Sequence, residues 1–196
     1  MRIRLADARD QERLQGLWAQ GPWAEHLPPL AAVLRDPLAH VHYALGAGDE
    51  PIGLAAVYWL DVDAVEDLAL VVVPPERRRG VGSQLRLAQL RDLVEMEVPD
   101  LFIPAPLDAE GWCRLYATPL ATPAPDERYF WCATAEALQV LAERVPPPHP
   151  LTDETRARLC QRAQDARAAL ERQRAWGTRV LRRLLARAQM RGPADA

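Results

Sequence analysis

The pattern of apolar and polar residues divides the chain into short strands and amphipathic helices. Residues 68–73, LALVVV, are continuously apolar, which is typical of a strand buried on both faces. After a short loop, apolar residues recur every three or four positions as far as Met96, and this spacing predicts a helix. Segments 40–45 and 52–60 lie on either side of a tight turn, so they predict two strands of a hairpin.

The same criteria, apolar runs for strands and a spacing of three or four residues for helices, predict the remaining elements of an α/β fold with a mixed sheet. Further strands are expected at residues 2–5, 101–105 and 129–132. Further helices are expected from Asp7 or Asp10 to Trp18 and at about 28–35, 110–116 and 135–144. We therefore predict one α/β domain over residues 1–145.

The C-terminal part of the chain has a different pattern. Residues 146–150, PPPHP, predict a stiff linker, and Thr152 followed by two acidic residues predicts a helix start. An apolar heptad follows, and we expect Gly177 to kink or break it. Residues 151–196 are thus predicted to form a helical extension that packs on the domain or on a second copy of the chain, as a homodimer.

Charge separates these two parts as well. The net charge is −3, but residues 1–150 carry 13 Arg against 22 acidic residues, whereas residues 151–196 carry 11 Arg against 5. An acidic domain suits a cationic amine substrate. The basic extension has interspersed acids and few aromatic residues, so we do not expect it to bind nucleic acid.

The absence of lysine excludes several classes of phosphate-binding enzyme. All 24 basic residues are arginine, so neither a Walker A loop, nor a kinase, nor a pyridoxal phosphate Schiff base can be built. A Rossmann fingerprint is excluded because Leu85 stands where its third small residue is required.

A different anion site is predicted between the apolar strand and the helix that follows it. Residues 77–83, RRRGVGS, place two glycines and three arginines where the helix begins. Backbone N–H groups and the helix dipole converge at such a point, and together they favour a phosphate. The alternative is a plain strand–turn–helix with a solvated arginine cluster.

This motif, Arg77-x-x-Gly80-x-Gly82, resembles the signature of the GNAT superfamily of acetyl-coenzyme A-dependent N-acetyltransferases, over roughly residues 1–133. The resemblance implies an acyl-coenzyme A N-acyltransferase fold. It also implies that the backbone N–H groups of the loop bind the coenzyme A pyrophosphate and that the end of the preceding strand pairs with the pantetheine arm. The coenzyme-binding residues are then Leu70, Val71, Val72, Arg77, Arg78, Arg79, Gly80, Val81, Gly82 and Ser83, and the N–H of Val71 or Val72 serves as oxyanion donor.

The resemblance also suggests the catalytic residues. Glu66 lies where several GNAT enzymes carry a catalytic glutamate, and we prefer it to Asp67 because it shares the alternation of Leu68, Leu70 and Val72. Two solvated acids at the strand entrance are the alternative. Tyr116 is the candidate acid that protonates the thiolate, or else a structural tyrosine; Pro119-Leu120 replaces the family's Gly-Phe after it.

The remaining features are expected to be structural. His40 and His42 share a strand face, but no Cys or acid accompanies them at metal-ligand spacing, so no metal is predicted. Three widely spaced cysteines, no apolar run long enough to cross a membrane and an N-terminus unlike a signal peptide predict a cytoplasmic protein with no membrane partner. Trp18, Trp23, Trp59 and Tyr58 could line an acceptor pocket or belong to the core.

The sequence therefore predicts an N-acetyltransferase that moves acetyl from acetyl-coenzyme A to a primary amine. The amine could belong to a polyamine, an aminoglycoside, an amino acid or a protein N-terminus. The alternative is a catalytically inactive acyl-coenzyme A-binding protein whose helical tail mediates self-association or a partner contact.

Overall fold

The computed structural model describes residues 1–21, 27–104, 122–123, 129–146 and 151–190. These residues form a seven-stranded mixed sheet in the order β1-β2-β3-β4-β5-β7-β6. The strands are β1 (Arg2–Leu5), β2 (Ala39–Leu45), β3 (Pro51–Asp61), β4 (Ala64–Val72), β5 (Asp100–Pro104), β6 (Thr122–Pro123) and β7 (Tyr129–Ala133). Neighbouring strands run antiparallel except β4 and β5, which are parallel and are joined by the crossover that contains the long helix.

Helices cover both faces of the sheet. The helices are α1 (Gln11–Trp18), α2 (Leu30–Val33), α3 (Val81–Glu95), α4 (Thr134–Ala142) and α5 (Asp153–Met190). Helices α1 and α2 pack on one face, in a core with Leu54, Ala56, Ala69 and Val71. Helices α3, α4 and α5 pack on the other face, in a core with Val57, Trp59 and Val65. The fold is thus a mixed α/β sheet between two helical layers, as the sequence predicts.

Most predicted elements are confirmed, and the differences have local causes. The second helix is shorter than the expected 28–35, because the extended backbone of Pro29 delays its start and the carboxylate of Asp36 accepts the N–H of Leu38 just beyond it. Helix α5 runs through Gly177 without the expected break. The helix expected at 110–116 lies outside the described residues.

The C-terminal extension shares the core of the domain along its first half. Leu159, Ala163, Ala166 and Leu170 are buried in the same cluster as α3 and β5. Charged residues reinforce the contact, because Arg156 of α5 pairs with Glu95 of α3 at 2.8 Å. From residue 171 to residue 176 every side chain is exposed, and Arg174 forms an ion pair with Asp61 at the end of β3. None of the helices in the described part of the chain is both long and apolar enough to cross a bilayer.

Candidate coenzyme and acceptor site

An opening in the sheet lies between β4 and β5. The two strands pair over three positions, the last of which joins Glu66 to Phe102. Strand β4 continues from there to Val72, whereas β5 stays paired with β7 as far as Pro104. Within the part of the chain that the structure describes, residues 68–72 have no registered partner on the β5 side, so this edge of β4 can pair with an extended ligand.

The direction of the backbone groups at the end of β4 follows from two hydrogen bonds. The N–H of Val73 donates to the carbonyl of Ile52 on β3 at 3.0 Å, so the carbonyl of Val72 must point away from β3. Arg77 confirms this direction, since its Nε donates to that carbonyl from outside the sheet at 3.0 Å. Because amides alternate along a strand, Val72 and Leu70 face the opening and Val71 faces β3. Of the two proposed oxyanion donors, Val72 has the required direction and Val71 does not.

The loop after β4 presents backbone amides beside this opening. Gly80, with φ of 82°, is the N-cap of α3, and no side chain caps that end of the helix. The first helical bond runs from the N–H of Gln84 to the carbonyl of Gly80, so the preceding amides have no partner within the helix. Arg77, Arg78 and Arg79 are exposed around them. Uncapped amides, the helix dipole and three guanidinium groups all favour an anion at this position.

The two glycines of the loop play different parts. Gly80 has a left-handed backbone, which other residues adopt at a cost, although a Cβ there would meet nothing within 4 Å. Gly82 has no such requirement, and a Cβ there would make ordinary contacts with Leu70 and Val72 at 3.7 Å. The protein's own packing therefore explains a glycine at position 80 but not at position 82. The absent side chain of Gly82 leaves room for a ligand against the start of α3.

A β-bulge at Leu68 decides which faces the two candidate carboxylates occupy. In the pairing with β3, Ala56 lies opposite Ala69 but Val57 lies opposite Asp67, so Leu68 is the extra residue. Asp67 consequently shares the α3 face with Val57, and Glu66 shares the α1–α2 face with Tyr58. The alternation used in the sequence argument, which linked Glu66 to Leu70 and Val72, is wrong because the bulge interrupts it.

Asp67 has a structural partner beneath α3. Its Oδ2 accepts a hydrogen bond from Arg86 NH2 at 2.5 Å, and both side chains are almost completely buried. Arg86 also donates to Gln89 one turn along the helix. A buried carboxylate held by a buried guanidinium is committed to that ion pair. The preference for Glu66 over Asp67 as general base thus gains a geometric reason that the sequence argument lacked.

The surroundings of Glu66 are polar and lie on the α1–α2 face. Tyr58, its partner across the strands, donates its hydroxyl to Asp36 at 3.1 Å. Burial, together with the Asp36 carboxylate, raises the pKa of Tyr58 and keeps it a donor. Trp18 and Trp59 are buried in the core, and Trp59 lies on the face opposite Glu66, so it does not line a pocket there. Trp23 and the candidate acid Tyr116 lie outside the described residues.

Sequence reasoning missed a second polar cluster, between β2 and α3. His42 Nε2 lies 2.7 Å from Asp92 Oδ2, and His40 Nε2 lies 3.9 Å from the same oxygen. Metal-ligand spacing in the sequence did not show the acid that accompanies these histidines, because Asp92 comes from a helix 50 residues further on. Burial lowers the pKa of His40 to about 4, despite the carboxylate beside it. Burial opposes the charge on Asp92, but the two histidines outweigh it and hold the pKa of that carboxyl well below its usual range.

Solved structures with the same architecture are N-acetyltransferases. A chimeric spermidine N-acetyltransferase with sequence from Vibrio cholerae superposes with a TM-score of 0.55 at 11% identity, covering 71% of this chain and 99% of that one. A GNAT family N-acetyltransferase from Escherichia coli in complex with coenzyme A gives 0.53 at 18% identity, covering 69% and 83%. The ribosomal-protein-S18-alanine N-acetyltransferase from Escherichia coli gives 0.52 at 16% identity, covering 67% and 92%.

This chain has the GNAT fold. Neither a protein-family model nor a curated protein sequence matches it significantly, so the likeness lies in the structure and not in overall sequence. Within the GNAT fold found here, the parting of β4 from β5 and the uncapped start of α3 lie next to each other.

The two loop glycines give a test that separates folding from ligand binding. Gly80→Ala should lower the free energy of unfolding by about 1–2 kcal/mol, because alanine is strained in a left-handed backbone. Gly82→Ala should leave it unchanged or raise it by up to about 1 kcal/mol, because alanine favours the helix. Urea denaturation of both variants measures these values, and an equal loss of stability in both would contradict the distinction.

Proposed function

We propose that this protein is a GNAT acetyltransferase that transfers an acetyl group from acetyl-coenzyme A to a primary amine. The observation that carries the proposal is the open edge of β4 directly beside the uncapped N-terminus of α3. One ligand with an extended amide-bearing arm and a diphosphate fits both features at once. The proposed setting is the cytoplasm, and both cysteines within the described residues, Cys132 and Cys160, are free thiols.

The coenzyme would occupy the opening as an additional strand. Its pantetheine amides would pair with Leu70 and Val72, whose backbone groups face the opening, and its pyrophosphate would bind the amides of residues 78–83. Arg77 now donates to the carbonyl of Val72, where a pantetheine amide would donate. We infer that binding displaces this guanidinium, which then becomes available to the phosphates. Arg78, held at φ of 61°, keeps a strained backbone in the same loop, as residues at functional sites often do.

The chemistry requires a neutral amine, a stabilised oxyanion and a proton for the thiolate. A free alkyl ammonium has a pKa of about 10, so Glu66 would remove its proton directly or through water. The amine nitrogen then bonds to the acetyl carbon and the carbon–sulfur bond breaks. The N–H of Val72 would stabilise the oxyanion, and Tyr116 would return a proton to the sulfur.

Coenzyme binding can be tested with a bulky residue at Gly82. Gly82→Leu should abolish binding of coenzyme A, because its side chain fills the space against the start of α3. Gly16→Leu is a matched control, since Gly16 also lies in a helix and a Cβ there meets nothing within 4 Å. Isothermal titration calorimetry should show loss of binding in the first variant and wild-type affinity in the second. Unchanged affinity of Gly82→Leu would reject the loop as the pyrophosphate site.

The catalytic assignment can be tested by removing one carboxylate. Glu66→Gln should lower kcat/KM by about 10²–10⁴-fold near neutral pH, the usual contribution of a general base. The loss should shrink at high pH, where the amine deprotonates unaided. Thiol release measures the rate, and Glu143→Gln, at an exposed acid after α4, is the control. A pH profile parallel to that of the wild type would exclude Glu66 as the base, and Tyr116→Phe tests the acid in the same assay.

The acceptor should be sought among amines of several sizes. Spermidine, an aminoglycoside, free amino acids and a peptide with an N-terminal alanine cover the range that the sequence leaves open. The alternative function, acyl-coenzyme A binding without catalysis, makes a different prediction in this screen: coenzyme A binds, but no acceptor releases thiol.

We also propose that the C-terminal helix joins two copies of the chain. Trp176 is 65% exposed on a stretch of α5 where no side chain from residue 171 to 176 is buried. A large apolar ring on an exposed stretch of helix favours a contact with another surface. Light scattering should give a dimer for the full chain and a monomer for Trp176→Ser. A monomeric wild type at micromolar concentration would overturn this proposal and leave the acetyl transfer unaffected.

A further inference from the structure

The cluster between β2 and α3 has the composition of a metal site. His40 and His42 point from the same face of β2 towards α3, and Asp92 faces them from the helix. All three residues are at most 2% exposed. One ligand atom from each lies within 4.8 Å of the other two. Two imidazole nitrogens and one carboxylate oxygen are common ligands of divalent transition metals.

His40 has an unused nitrogen at the centre of this cluster. Its Nε2 is buried and has no hydrogen-bond partner, whereas His42 Nε2 is bonded to the shared Asp92 oxygen. Leaving a buried polar atom without a hydrogen-bond partner costs stability. A cation between the three groups would accept the lone pair of His40 Nε2, which the Asp92 carboxylate cannot do, and the ring proton of His42 would then lie on its buried Nδ1.

We propose that His40, His42 and Asp92 bind a divalent first-row transition metal, and that this metal is Zn²⁺. Ligand atoms about 2.0–2.1 Å from a tetrahedral zinc ion lie about 3.3 Å from one another. The Asp92 oxygen lies 2.7 Å from one histidine nitrogen and 3.9 Å from the other. These two separations lie on either side of the tetrahedral value, so the carboxylate must move away from His42 and towards His40 when the ion binds.

Burial favours zinc over the other metals that accept these ligands. Two histidines and one carboxylate also suit iron(II) in oxygenases, but such sites keep positions open for substrates. Here all three ligands are sealed between the sheet and the helix. Zinc needs no such access when its role is structural, and a single buried water can complete the tetrahedron. The metal would join β2 to α3, the helix whose first turn carries the proposed coenzyme site.

Two arginines modify the strength of the site. Arg91 donates to the other oxygen of Asp92 at 2.9 Å and so orients the carboxylate. Arg162 of α5 donates to the carbonyl of Ala6 at 2.8 Å, and its charge acts on His40. The charge of Arg162 opposes a cation at the cluster. Replacing this arginine by glutamine keeps a donor for Ala6 and should tighten metal binding.

The test uses the full chain and the metal ions alone. Chelator-treated protein is refolded from urea with increasing Co²⁺, so that the buried site can fill. One equivalent should give the visible absorption of tetrahedral cobalt without a thiolate charge-transfer band, and Zn²⁺ should displace it and raise Tm. A folded protein that gives no such band would overturn the proposal.

Four variants make the test specific. His40→Gln and Asp92→Asn should each weaken cobalt binding by at least about 100-fold, since loss of an outer partner alone costs 10- to 100-fold. Arg162→Gln should bind more tightly. The double variant His26→Gln/His149→Gln removes the chain's other two histidines and should bind as the wild type does. Wild-type affinity in either ligand variant, with circular dichroism showing a folded protein, would refute the site. Since no readout involves coenzyme A, failure here leaves the proposed acetyl transfer standing.

Discussion

The parting of β4 from β5 beyond Glu66 is the constraint on which the rest of the site depends. Inside a sheet, each strand normally satisfies its backbone groups on both edges, and an unpaired edge invites another strand. Here residues 69–72 stay paired with β3 on one edge and have no registered partner on the β5 edge among the described residues. The side chain of Arg77 occupies one of the exposed carbonyls. An edge opened inside the sheet, and not at its rim, has room for one extended strand, which is the geometry that the proposed ligand requires.

Helix α3 links this opening to the buried polar groups. Its first turn supplies the amides, Arg86 in its middle holds Asp67 beside the bulge, and Asp92 near its end binds the histidines of β2. Arg86 and Asp92 thus bond the helix to two different strands, β4 and β2. The strained loop that precedes the helix is therefore attached to an element that is held in place. Left-handed residues such as Arg78 and Gly80 persist where the surroundings determine their conformation.

The sequence predicted the positions of the helices and strands better than it predicted which side chains they bring to the same face. The apolar run at 68–73 and the glycine–arginine loop are local signals, and both the strand and the helix start are where they indicate. The bulge at Leu68 depends on pairing with β3, so no pattern within β4 could show that Glu66 and Leu70 face opposite sides. Gly177 did not end α5, because a propensity cost of about 1 kcal/mol is small against a long helix.

The histidine cluster shows why spacing arguments fail for ligands from separate elements. His40 and His42 satisfy the two-residue period of a strand face, and this part was visible in the sequence. The third group, Asp92, lies in a helix with apolar residues around it. From the sequence alone, a single acid in such a helix is predicted to lie on the surface. Its burial follows from the packing of α3 across β2, two strands away from β4. Burying a charge requires a partner. An acid on the buried side of an otherwise apolar helix therefore indicates that histidines on a neighbouring strand could contact it.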